Sequence, residues 1–156
     1  MSEFISNVPE LEAMLAEATI YAVDAAACVY RDGIKASISG PSPSSPGNPP
    51  GLRSGRLRDS ISNDVEQVGW DALACVGMDM SVGGIGRTPP WLYGIYLENG
   101  ASAGRPRAFK LPNGQWRMRK NPMLPRPFMK PAYYDQGHAQ LALIKASEAF
   151  KQVLDK

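Results

Sequence analysis

Between Val8 and Tyr30, Leu11, Met14, Leu15, Ala18, Ala22 and Ala25 or Val29 recur at three- and four-residue spacing, with Glu10, Glu12 and Glu17 elsewhere on the wheel. That period predicts an amphipathic helix over residues 8–30. Pro9 fits its first turn, and the early acids complement the positive end of the helix dipole. The pattern then changes. Ser39 to Arg53 carries several φ-restricted prolines and almost nothing to bury, which predicts an extended, mobile loop able to reach a neighbour. Ile61 to Val68 and Ala72 to Met78 alternate, imperfectly, as strands joined through Gly69-Trp70-Asp71. Ser81 to Pro90 is a second Gly/Pro loop, and residues 91–99 then read as a short helix that Gly100 can end in a left-handed conformation.

Asn113-Gly114 is the strongest hairpin signal in the chain. A two-residue turn there sets Phe109 opposite Met118, Lys110 opposite Arg117, Leu111 opposite Trp116 and Pro112 opposite Gln115. Phe109, Leu111, Trp116 and Met118 would share an apolar side, with Lys110 and Arg117 on the other. So small a hairpin is marginal in water, and its apolar side needs the body of the protein or another subunit. From Pro131 to Leu154 a last helix is expected, with Ala139, Ala142, Leu143, Ala146, Ala149, Phe150, Val153 and Leu154 on one stripe. Leu141 and Ile144 fall off that stripe and point to either a second contact or a wider core face. Together these elements predict an α+β domain: N-terminal and C-terminal helices packed on a small, mainly antiparallel sheet, with long Pro/Gly loops and a projecting basic hairpin.

Composition fits one domain. The chain has 156 residues, 44% of them apolar, while 14 Pro and 15 Gly imply long irregular connections. There is no run of about 18 purely apolar residues. The N-terminus, with Glu3, Glu10 and Glu12, lacks the basic-then-apolar layout of a signal peptide, so the expectation is a chain made in the cytoplasm with no membrane segment. Cys28 and Cys75 have no CxxC spacing and there is a single histidine, so both read as small unpaired core residues and not as metal ligands. The formal net charge of +2 conceals a segregation. Met1 to Tyr30 holds Glu3, Glu10, Glu12, Glu17 and Asp24 with no Lys or Arg. Between Glu98 and Asp135 lie Arg105, Arg107, Lys110, Arg117, Arg119, Lys120, Arg126 and Lys130 with no acid among them. Such a basic segment suits phosphate, a neighbouring subunit's acidic face, or merely solvent.

Catalytic patterns are weak throughout. Gly83-Gly84-Ile85-Gly86-Arg87-Thr88 looks like a phosphate loop, but Ser81 and Arg87 stand where that motif needs Gly and Lys, and a turn is the better reading. His138 has no recognisable acid or nucleophile motif near it and reads as exposed or interfacial. Asp59, Asp64, Asp71 and Asp79 are scattered over turns and strand edges, where Asp serves local hydrogen bonding. Neither an enzymatic activity nor a cofactor is expected.

Arg126-Pro127-Phe128-Met129-Lys130-Pro131-Ala132 is a different kind of signal. Arg126 and Lys130 each precede a proline and are biased away from the α region, while Pro131 suits a first helical turn. Phe128 and Met129 therefore sit on a stiff arm that feeds the last helix. Upstream stand Ser54-Gly55-Arg56-Leu57-Arg58-Asp59-Ser60-Ile61 and Tyr93-Gly94-Ile95-Tyr96-Leu97-Glu98-Asn99-Gly100. The ordered set S-G-x-L-x-x-S-I, Y-x-x-x-L-E-x-G and R-P-F-M-x-P-A resembles the tail-completion, head-tail joining (neck) proteins of long-tailed bacteriophages, the lambda minor tail protein Z-like group. It covers most of residues 47–154. The chain departs from the family after Gly100, where Ala101 and a long basic excursion to Pro125 replace a Thr and a short loop, so no role for that excursion follows from the resemblance.

The resemblance implies a structural virion protein: a homo-oligomeric, hexameric ring where the portal-side connector of the head meets the tail-tube or tail-terminator proteins, with a channel for DNA. Leu52, Arg53, Arg56, Leu57, Arg58, Glu98, Arg126, Phe128 and Met129 are then the expected subunit and partner contacts. Glu98 is read as the partner of Arg56, Arg58 or Arg126. Lys110, Trp116, Arg117, Arg119 and Lys120 are the candidates for contact with DNA or the lumen. Two other readings stay open, a sequence-tolerant DNA-binding accessory protein using those five residues and a tail-terminator subunit.

Overall fold

The computed structural model describes residues 7–82, 88–101, 108–110, 114–118 and 123–155, with 108–110 and 116–118 described by their backbone alone. The fold is α+β. Helix α1 spans Val8–Ser37, α2 Arg56–Asp59, β1 Ile61–Val68, β2 Asp71–Met78, α3 Pro90–Asn99, β3 Ala108–Lys110, β4 Trp116–Met118, α4 Met129–Tyr134 and α5 Gln136–Leu154. The chain forms two compact units. One comprises residues 1–33, 61–77 and 132–156, and the other residues 34–60 and 78–131.

In the first unit the long N-terminal and C-terminal helices pack against the two-stranded antiparallel hairpin β1–β2. Gly69, at φ +65, supplies the turn conformation between the strands. Ala18, Ala27, Ile61, Ala132, Ala142 and Val153 are its buried apolar residues. Small side chains dominate that set, and they let the elements approach closely. Gly33 takes this furthest, since a Cβ there would lie 2.5 Å from His138 Nε2, so the imidazole lies over a bare stretch of α1 backbone. The ring's Nδ1 donates to the Ala132 carbonyl at 3.2 Å, which places the proton on that nitrogen. Tyr30 stacks on Tyr133 with ring centroids 5.8 Å apart, and the Tyr133 hydroxyl donates to the Val76 carbonyl. Burial raises the Tyr133 pKa above its ordinary value, and the nearby Cys75 adds to the effect.

A polar link ties α1 to β1. Asn63 Nδ2 donates to Asp24 Oδ1 at 2.7 Å, and Asn63 Oδ1 accepts from Arg31 at 2.8 Å. By length and composition α1 is apolar enough to cross a membrane, contrary to the reading from uninterrupted apolar runs, because its alanines raise the average. Asp24, held by Asn63, is a charge that a bilayer interior would disfavour.

The second unit contains the end of α1, α2, α3, the β3–β4 pair and the arm that leads into α4. Ile34, Ile38, Leu97 and Phe128 are buried there. Residues 39–53 do not run extended. Leu52 N donates to the Gly40 carbonyl at 2.8 Å, which closes the segment as an Ω-type loop.

Several expectations are corrected. Helix α1 continues past Tyr30 to Ser37, because Ile34 and Ile38 carry the buried stripe onward beyond Gly33. The last helix is broken at Asp135, whose side chain accepts from Gly137 N at 2.7 Å and caps α5 as a separate helix. On α5, Leu143 and Leu154 are exposed, and the buried residues of the stripe are Ala142 and Val153, with Ala139, Ala146, Ala149 and Phe150 half-buried. Gly100 has φ +74 but ψ 174, a positive-φ extended conformation and not a left-handed helical one. Cys28 is half-buried and Cys75 exposed, both unpaired, so neither is a core residue. The β3–β4 register is Ala108 with Met118, Phe109 with Arg117 and Lys110 with Trp116, one residue from the expected pairing. Strand alternation then no longer sorts apolar from basic positions. The turn expected at 83–88 lies outside the described residues, apart from Thr88.

Candidate functional site

The three sequence motifs meet in the second unit, and Glu98 is the principal link. Helix α3 begins with Pro90 at its first position and buries Gly94, Leu97 and Glu98. The Glu98 carboxylate reaches the start of α4, where main-chain donors have no intrahelical acceptor. Oε2 accepts from Phe128 N at 2.8 Å and Met129 N at 3.0 Å, and Oε1 accepts from Lys130 N at 2.9 Å. Pro131, the next residue, has no N–H to satisfy. These charge-assisted bonds compensate the burial of a carboxylate that is only 9% exposed. Glu98 thus acts as a helix cap supplied from a distant part of the chain. An ion pair with Arg56, Arg58 or Arg126 was the expectation for Glu98, and the structure adds this main-chain contact.

The arm is fixed on both sides of that clamp. Arg126 N donates to the Leu97 carbonyl at 2.6 Å, while Arg126 Nε donates to the Ser44 carbonyl at 3.0 Å. Gly47 N donates to the Pro125 carbonyl at 2.9 Å, so the proline-rich loop is fastened to the arm and not left to reach away. Phe128 is fully buried, and its anchoring is within its own chain. Gly100 is required by a close approach, since a Cβ there would lie 2.8 Å from the Met123 carbonyl oxygen. Ala101 and Met123 form a reciprocal pair, with N to O distances of 2.8 and 2.9 Å, and close the base of the basic excursion.

The first motif joins through packing. Gly55, at φ +74, turns the chain into α2, and Asp59 N returns to the Gly55 carbonyl at 2.8 Å. Ser60 is buried with its hydroxyl donating to the Leu57 carbonyl at 2.8 Å, and its own carbonyl accepts from Asp79 N at 2.7 Å. Leu57 faces α3 where Gly94 has no side chain. A Cβ on Gly94 would lie 3.1 Å from Leu57 Cδ1 and 2.0 Å from Met78 Sδ.

Of the other expected contacts, Leu52 and Arg53 are exposed, and Arg56, Leu57, Arg58, Arg126 and Met129 are half-buried. Arg58 Nε lies 3.5 Å from Asp59 Oδ1. Lys110, Trp116 and Arg117 sit on β3 and β4, and Arg119 and Lys120 lie outside the described residues. Gly94 and Ser44 were not anticipated. Gly94 has a signal, because a glycine inside a helix costs about 1 kcal/mol against alanine and needs a packing reason. Ser44 contributes only its carbonyl and has none. Among the described residues no three His, Cys, Asp or Glu side chains are grouped to hold a metal ion. Comparison with protein-family models, curated proteins and solved structures finds no match.

Proposed function

We propose that this chain is a structural virion protein that forms a ring at the phage head-tail interface and completes the joint by binding, without catalysis. The observation that carries the reading is the Glu98 clamp. Two motifs of the resemblance, L-E-x-G and R-P-F-M-x-P, are bonded to each other through it, and the third packs on the same helix through Leu57 and Gly94. Residues whose shared task is to hold an arm in place suit an assembly protein better than a reaction centre. Exposed Leu52 and Arg53 and half-buried Arg56, Arg58 and Met129 border this framework and are the contacts assigned to neighbours.

The test is electron microscopy of phage lysates lacking the protein. DNA-filled heads and separate tails are expected, and joining should return when the protein is supplied from a plasmid. Complete, joined particles in its absence would sink the reading.

A further inference from the structure

Alternation divides the β1–β2 hairpin into two faces. Along β1, Ile61, Asn63 and Val65 are buried or half-buried, while Ser62, Asp64, Glu66 and Val68 are exposed. The inner row meets α1 through Asn63, which bonds Asp24 and Arg31. The outer row carries charge of one sign. Residues 61–78 hold three acids, Asp64, Glu66 and Asp71, and no Lys or Arg. None of the three makes an ion pair among the described residues.

The hairpin also has an open side. Its sheet contains two strands, and among the described residues no main-chain group of β1 bonds to anything but β2. On β2, by contrast, the Val76 carbonyl accepts from the Tyr133 hydroxyl. A strand of eight residues paired along one edge only is a template for a further strand.

We propose that the β1 edge takes up an extended cationic segment of another protein as a third strand. Main-chain bonds would hold it, as in other cases of strand addition, and its side chains would alternate between the two faces. On the outer face, lysines or arginines meet Asp64 and Glu66 and lay their aliphatic stems against Val68. On the inner face, apolar residues extend the row of Ile61 and Val65. The acids also decide against other occupants. A second copy adding its own β1 would set acid against acid, and nucleic acid would be repelled by the same carboxylates. The assignment stands on topology, exposure and charge and is independent of the joining role.

The test is fluorescence anisotropy of a labelled peptide, a Lys-Val repeat matching the eight residues of β1, titrated with the full chain. A Glu-Val repeat and an all-lysine peptide of the same length are the controls. Only the Lys-Val peptide is expected to bind. Its affinity should fall at least roughly tenfold between about 0.01 M and about 1 M salt, where the screening length drops from roughly 30 to 3 Å. Asp64→Lys/Glu66→Lys should abolish that binding and take up the Glu-Val peptide instead, with an unchanged circular dichroism spectrum. Hydrogen exchange of the wild type decides the matter even if this variant does not fold. The Lys-Val peptide should slow exchange of β1 amides and leave α5 as it was. Failure of the Lys-Val peptide to bind overturns the proposal, as do equal binding of the all-lysine peptide, a folded variant that binds as the wild type does, or protection that appears away from β1. Wild-type self-association that the same variant abolishes would give the edge to a second copy and overturn it as well.

Discussion

Glu98 and Phe128, thirty residues apart in the chain, are joined by a carboxylate oxygen accepting a main-chain N–H at 2.8 Å. The same carboxylate serves Met129 and Lys130, so one side chain supplies the acceptors for the start of α4. Replacing Glu98 with Ala should remove all three bonds and leave buried donors, at a cost of about 2–3 kcal/mol. Glu98→Gln keeps one good acceptor oxygen and should cost about 1 kcal/mol. Urea midpoints should therefore fall in the order wild type, Gln, Ala; an Ala variant as stable as the wild type would remove the clamp from the account.

Phe128 has no exposed surface, and its ring should matter to the isolated protein before any partner is present. Phe128→Ala is expected to destabilise by about 3–5 kcal/mol through lost burial and the cavity left behind. Thermal unfolding of the purified protein measures this. A loss seen only in particle assembly, with an unchanged melting temperature, would return the residue to an intersubunit role.

Gly100 and Gly69 separate two costs of adding a side chain. Gly69 has positive φ with open space around it, whereas Gly100 combines φ +74 and ψ 174 with a carbonyl oxygen where its Cβ would stand. Gly100→Ala should cost about 1–3 kcal/mol from the backbone conformation, with the clash adding to it. Gly69→Ala should cost less, and equal urea midpoints for the two variants would show that the close approach at Met123 carries no energy.

Tyr133 makes stability depend on alkaline pH. Burial first, and then the proximity of Cys75, raise its pKa in the folded state above the unfolded value of about 10. The neutral phenol is thereby favoured by folding. Its contribution is fully present below the unfolded pKa and is lost as pH rises through the folded one. The urea midpoint of the wild type should drop across that range, and Tyr133→Phe should flatten the drop. A Phe variant with the same alkaline profile would assign the effect to another group.

Where periodicity and burial agree, the chain announces its own fold. Both β1 and β2 fall where alternation and Gly69 place them, and α1 begins where Pro9 and the early acids indicate. The errors have physical causes. Asp135 looks like one more polar residue on a helix wheel, and only its bond to Gly137 N makes it a cap. The β3–β4 pairing was read from Asn113-Gly114 as a two-residue turn, and a one-residue change in loop length moves every partner. Glu98 stood out within its motif, but no local pattern reports main-chain donors thirty residues away. Leu143 fell on the expected stripe because a helical wheel assumes one broad apolar face, while on α5 only Ala142 and Val153 are buried.

The reciprocal bonds between Ala101 and Met123 have a further consequence. The chain leaves the framework and returns to it at adjacent points, so the intervening stretch behaves as an insert with a common doorway. Such a stretch can lengthen, shorten or be exchanged for a tight turn while the clamp, the arm and α3 keep their places. Evolution is free to refit it to a different neighbour without redesigning what holds it.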